Sequence, residues 1–124
     1  MTWALPWIAL AICGCLGVFV RYWISLNLNS ETFPAGTLTV NLVGSFAIGF
    51  IASSSWLKLQ VSDSWRLSLV VGFLGALTTF SSYSFELFTY IQKGKWGLAI
   101  LYFFLSQAMG LLLCFLGWKV GQIH

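Results

Sequence analysis

Between residues 72 and 86 the chain reads GFLGALTTFSSYSFE, and the hydroxyls of Thr78, Thr79, Ser81, Ser82 and Ser84 crowd around the rings of Phe80 and Tyr83 in an apolar surround. Two further polar sets recur at four-residue steps: Thr37, Asn41 and Ser45, then Tyr102, Ser106 and Gly110 with Gln107 alongside. Residues so spaced share one face of a helix. Hydroxyls and the Asn amide donate hydrogen bonds, and aromatic ring edges carry the positive part of the quadrupole. Such a lining suits a small anion, because it offers partial positive charge without a buried Lys or Arg that would hold the ion too tightly to release it. An isolated intramembrane Asn has a plainer use as glue between helices, but the stripe around Asn41 favours a lined path. Arg21, near the end of an apolar run, either gathers anions at a vestibule or snorkels to the interface. Glu86 is left open between a pathway mouth, a pairing with a base and a position facing headgroups.

These groups need a scaffold, and composition says which kind. Of 124 residues, 59% are hydrophobic and only 7% charged, a balance that no water-soluble domain of this size could cover with polar surface. The chain is expected to be an all-α integral membrane protein. Spanning a bilayer takes about 20 apolar residues, and predominantly apolar runs of that length fall at 5–26, 37–57, 66–91 and 96–118. Together they make a single four-helix membrane domain covering residues 1–124, with both termini on one side. Clustered polarity at bilayer depth is tolerated where protein buries it or a hydrated cavity meets it. The third helix is therefore expected to break mid-membrane after Gly75, freeing carbonyls that can coordinate a monovalent cation.

The remaining residues narrow the partners. A net charge of +3 without a basic tract gives nucleic-acid binding little support. Cys13, Cys15 and Cys114 lie in hydrophobic runs without metal-ligand spacing and are expected to be small core residues. Gly117 and Gly121 form a helix-contact pattern, and His124 is terminal. Lys and Arg give no orientation bias, since Lys58, Arg66 and Lys119 on one side balance Arg21, Lys93 and Lys95 on the other. A chain inserted both ways can pair as an antiparallel dual-topology homodimer, forming from two copies the inverted repeat that larger transporters carry in one chain. Four short helices alone leave little room for an enclosed path.

Three sequence blocks carry a family likeness: Gly14-x-x-Gly17 followed by Arg21 and an aromatic; Gly36-Thr37-Leu38-x-Val40-Asn41-Leu42; and Gly72-x-x-Gly75-x-x-Thr78-Thr79-Phe80-Ser81. On these the chain resembles the Fluc (CrcB) fluoride channels along nearly its whole length. The resemblance implies passive, fluoride-selective export from the cytoplasm across the cell inner (plasma) membrane, protecting against fluoride toxicity. It also implies a dual-topology homodimer with two pores and a central structural sodium ion. By position it puts Phe80 at the pore with its ring edge toward fluoride, Asn41 as an amide donor and Ser81 in the same lining. Tyr102 and Ser106 match the polar track, Arg21 the vestibule, and the carbonyls of Gly75 and Thr78 the sodium site. The family usually has a second phenylalanine where this chain has Tyr83; a phenol adds a hydroxyl while leaving ring edges available.

Other classes fit less well. A proton-coupled cation exporter resembling the small multidrug transporters depends on a glutamate in its first helix, and here that helix has no acid. A non-transporting assembly subunit makes no use of a lined path. An enzyme is not expected, because no nucleophile has a base and no metal-ligand cluster appears.

Overall fold

A computed structural model describes residues 4–123. His124, singled out above, lies outside the described residues. The chain is helical, and four of its segments are long and apolar enough to cross a membrane: Pro6–Leu28, Ala35–Ser53, Asp63–Gln92 and Trp96–Ile123. This is the multi-pass architecture that a bilayer dictates, since backbone groups there must be satisfied within the chain. In chain order the elements are α1 (Ala4–Leu28), α2 (Ala35–Ser53), α3 (Ser55–Gln60) and α4 (Asp63–Leu67). A π-helical segment π1 (Ser68–Leu74), α5 (Gly75–Leu77), α6 (Phe80–Gln92), α7 (Trp96–Phe104), π2 (Leu105–Met109) and α8 (Gly110–Ile123) follow.

Helix ends depart from the hydropathy runs for local reasons. The second run extends past the helix because Ser54 turns extended, at φ −65° and ψ 114°, and its side chain caps α3 by accepting from the Leu57 N–H at 3.3 Å. The third begins earlier than its apolar residues, since Asp63 opens α4 and meets Arg66 at 2.7 Å across one turn. Between α6 and α7 the chain reverses at Gly94, whose φ of 68° admits the left-handed cap. There the Lys95 N–H donates to Tyr90 O at 2.9 Å and the Gly94 N–H to Ile91 O at 3.0 Å, which closes the helix end.

Small residues set how closely the spans approach. A Cβ added at Gly49 would strike the Cys114 carbonyl, and one at Gly117 or Gly121 the carbonyls of Phe46 or Phe50, so α2 and α8 meet backbone to backbone. Ser53 Oγ reinforces that seam by donating to Trp118 O at 2.8 Å. The Gly117 and Gly121 pattern thus serves contact within the chain. A second seam joins α1 to π1, where a Cβ on Gly72 would lie 2.8 Å from Leu10 O and 3.0 Å from Cys13 Cβ. Cys13 is accordingly buried; Cys15 is exposed and Cys114 half-buried, so only one of the three cysteines is a core residue. Gly117→Leu is expected to pry α8 from α2 at a cost of about 3 kcal/mol, checked as a lower unfolding temperature in detergent.

Two apolar clusters flank the middle of the bundle. One holds Tyr83, Tyr90, Ala99 and Tyr102; the other holds Val40, Leu74 and Leu77. Between α5 and α6 lie the two residues that neither helix claims.

Candidate functional site

Thr78 (φ −82°, ψ 154°) and Thr79 (φ −148°, ψ 113°) are both extended, and they separate α5 from α6. The local chemistry ends one helix and starts the next. The Thr78 N–H and Oγ1 both donate to Leu74 O, at 3.0 and 2.8 Å, closing the first. Thr79 Oγ1 accepts from the Ser82 N–H at 3.2 Å and lies 3.0 Å from Ser82 Oγ, capping the second. The backbone of Thr79 would still be orphaned without help from α2. Asn41 supplies it: Oδ1 accepts from the Thr79 N–H at 2.8 Å, and Nδ2 donates to Thr79 O at 3.2 Å. A side chain 38 residues distant thereby replaces the helix ladder for one residue. Gly44 gives the threonine room, since a Cβ there would strike Thr78 Cγ2.

Among the described residues, no N–H beyond this interruption donates to the carbonyls of Gly75 or Thr78. Oxygens released in this way suit a hard monovalent cation. A Cβ on Gly75 would meet only Val70 O, at an ordinary 3.7 Å, so the chain's own packing leaves that position uncrowded.

Beside the extended pair lies a cleft of about 320 Å³ whose wall brings together Asn41, Gly75, Thr78, Phe80, Tyr83 and Ser106. Six of the residues anticipated from sequence therefore share one surface, with no Lys or Arg in it. Phe80 is 76% exposed, and its ring stands 5.9 Å from that of Tyr83 at 44°. Ser45 also borders the cleft, but its hydroxyl donates to Asn41 O at 2.7 Å, as serines in apolar helices commonly do. Among the described residues Ser106 Oγ is buried without a partner. Asn41 keeps a second amide hydrogen free among the described residues, since its donation to Thr79 O uses only one of the two.

Three anticipated residues stand elsewhere. Ser81 is exposed, with its hydroxyl 3.4 Å from Thr79 Oγ1, outside the wall of this cleft. Tyr102 is fully buried, and Arg21 lines a second cleft, also about 320 Å³, with Ser25, Thr37, Thr79, Ser82 and Glu86. Thr79 belongs to both walls, so the two clefts meet at the extended segment.

Glu86 is the group that sequence reasoning left without a role. Thr37 Oγ1 donates to its Oε1 and the Tyr102 hydroxyl to its Oε2, each at 2.7 Å. Asn29 orients this pair from the other side: its Oδ1 accepts from the Gly36 N–H at 2.7 Å and the Thr37 N–H at 3.2 Å, capping α2. Among the described residues no base comes within ion-pairing reach of Glu86, although Arg21 shares its cleft. The signal available in sequence was the acid itself, the one carboxylate in the apolar run 66–91, with hydroxyl-bearing stripes on the neighbouring runs. The site can therefore present amide, hydroxyl and ring-edge donors along one cleft and a hydroxyl-held carboxylate beside the next.

Residues 8–118 match the family described as CrcB-like protein, Camphor Resistance (CrcB). The chain is 42% identical over 119 residues to a protein of Roseiflexus sp. named Fluoride-specific ion channel FluC, covering 94% of this chain and 96% of that relative. A protein of the same name from Acidobacterium capsulatum is 40% identical over 120 residues, 94% of each chain. Another, from Acinetobacter baumannii, is 44% identical over 98 residues, 77% of each.

Proposed function

Since the chain belongs to the CrcB-like family, we propose that it is a fluoride-selective ion channel that lets fluoride leave the cytoplasm passively and so protects the cell from fluoride. The observation that carries this reading is the cleft wall in which Asn41, Phe80, Tyr83 and Ser106 converge without a fixed positive charge. Fluoride is small and strongly hydrated, so a path must replace its water with many donors while binding it weakly enough at each to let it move on. Arg21, in the adjoining cleft, raises the local anion concentration at the entrance. Ser81 extends the hydroxyl series beyond the cleft, and Tyr102, whose own hydrogen goes to Glu86, joins the path by holding that carboxylate.

The working unit is an antiparallel dual-topology homodimer in the cell inner membrane, with one four-helix domain over residues 1–124 from each copy. Two features support a second copy. Phe80 stands 76% exposed at the edge of an unclosed cleft, and the balanced Lys and Arg give neither orientation an advantage. The third span is interrupted within the membrane at Thr78 and Thr79, where the carbonyls of Gly75 and Thr78 would hold a structural sodium ion between the copies. Their freedom from backbone hydrogen bonds fits that donor set. When bound, the ion would fix the interrupted segments together by charge–dipole attraction. No observation favours a proton-coupled cation exporter, since Glu86 lies in the third span and receives two hydroxyl donors.

Purified protein in liposomes loaded with potassium fluoride or chloride tests the function. On adding a potassium ionophore, fluoride is expected to leave rapidly and chloride hardly at all; equal rates would refute selectivity. Tags at one terminus, probed from both sides of intact cells, are expected to report both orientations.

A further inference from the structure

Tyr83 is 4% exposed, yet its hydroxyl is only half engaged. Gln107 Nε2 donates to the Tyr83 oxygen at 3.3 Å, and among the described residues the phenol's own hydrogen has no acceptor. The next residue back, Ser106, carries the one buried side-chain oxygen left without a partner among the described residues. Both Ser106 and Gln107 lie in π2, whose wider turn brings consecutive side chains to the same wall. Phe80, Tyr83 and Gln107 also border a neighbouring apolar cleft of about 450 Å³, lined with Leu87, Phe88 and Phe103. The phenol thus stands at the edge between a polar and an apolar surface.

Resting on the fluoride reading, we propose that the Tyr83 hydroxyl is a specificity-determining hydrogen-bond donor to the permeating anion, with Gln107 as its positioning residue. The amide occupies an accepting lone pair of the phenol, which turns the O–H away from Gln107 and polarises it as a donor. Such a directed O–H separates halides better than a ring edge does, because fluoride is the strongest hydrogen-bond acceptor among them and chloride a weak one. A site built to hydrogen-bond its ligand discriminates most against species that leave the donor unsatisfied. The neighbouring Ser106 hydroxyl gives the anion a second donor at the same depth.

The test compares wild type, Tyr83→Phe, Gln107→Leu and the double variant in liposomes, reading fluoride and chloride efflux on preparations that run alike in gel filtration. Tyr83→Phe is expected to lower the fluoride-to-chloride ratio about tenfold, and Gln107→Leu about threefold. In the Tyr83→Phe background, Gln107→Leu should change nothing further. A wild-type ratio in Tyr83→Phe, or an equal effect of Gln107→Leu in both backgrounds, overturns the proposal while leaving fluoride conduction standing. If Tyr83→Phe does not assemble, Gln107→Leu decides alone, and an unchanged ratio overturns it. Wild-type protein that carries no fluoride would overturn the channel reading and this proposal together.

Discussion

Asn41→Ala is expected to reduce fluoride efflux from liposomes to the background of protein-free vesicles and to destabilise the protein by about 3 kcal/mol. The size follows from what the side chain holds. Its two hydrogen bonds, at 2.8 and 3.2 Å, are the partners of the Thr79 N–H and carbonyl. Removing both leaves two backbone groups orphaned in an apolar setting, each costing about 1–3 kcal/mol less whatever relaxation recovers. The extended pair would then be free to coil, which would withdraw Phe80 from the cleft and re-form the ladder bonds that consume the Gly75 and Thr78 carbonyls. Thr39→Val, which also deletes a hydrogen bond on α2, to Ala35 O at 2.7 Å, is the control. It should leave efflux unchanged. Thermal unfolding in detergent gives the stability arm, and wild-type stability in Asn41→Ala would contradict the pinning role.

Phe80→Ile separates conduction from folding. The ring is 76% exposed within the chain, so a branched aliphatic replacement should alter stability by no more than about 0.5 kcal/mol. What disappears is the positive ring edge in the cleft wall. Fluoride efflux is expected to fall at least about tenfold, while Phe80→Tyr, which keeps an aromatic edge, should retain most of it. The comparison also addresses an assembly subunit that conducts nothing, for which no variant at this position would change a flux that wild type lacks.

Much of this was legible in the linear chain. Hydropathy alone located the four spans, because lipid demands long apolar helices. The four-residue stripes put Thr37 and Asn41 on one face of α2, and both indeed turn toward the third span, to Glu86 and Thr79. What period could not supply was the partner. The Asn41 amide appears from sequence as a free donor, whereas one of its hydrogens and its oxygen are consumed by backbone 38 residues away. Glu86 was ambiguous for the same reason, since its two donors come from positions 49 and 16 residues distant on separate spans. The end of α2 was obscured differently. Ser54 is the middle of three serines within an otherwise apolar run, and only its extended backbone shows which of them caps the next helix. The cysteines were misjudged by treating composition as burial: in a membrane an apolar position such as Cys15 can face outward at no cost.

The π turns carry a consequence for the chain's length. An α-helix advances about 100° per residue, and a π turn is the trace of one residue more than the regular ladder needs. On the fourth span, π2 lies between Tyr102, directed at Glu86, and Gly117, seated on α2. The wider turn absorbs that surplus, so the two halves keep nearly the phase of an uninterrupted helix. Deleting one residue within it would let the segment close into a regular α-turn with the glycine face still on its seat, whereas inserting one would swing everything after it through about a quarter-turn. The segment should therefore tolerate the loss of one unit of backbone far more readily than the gain of one.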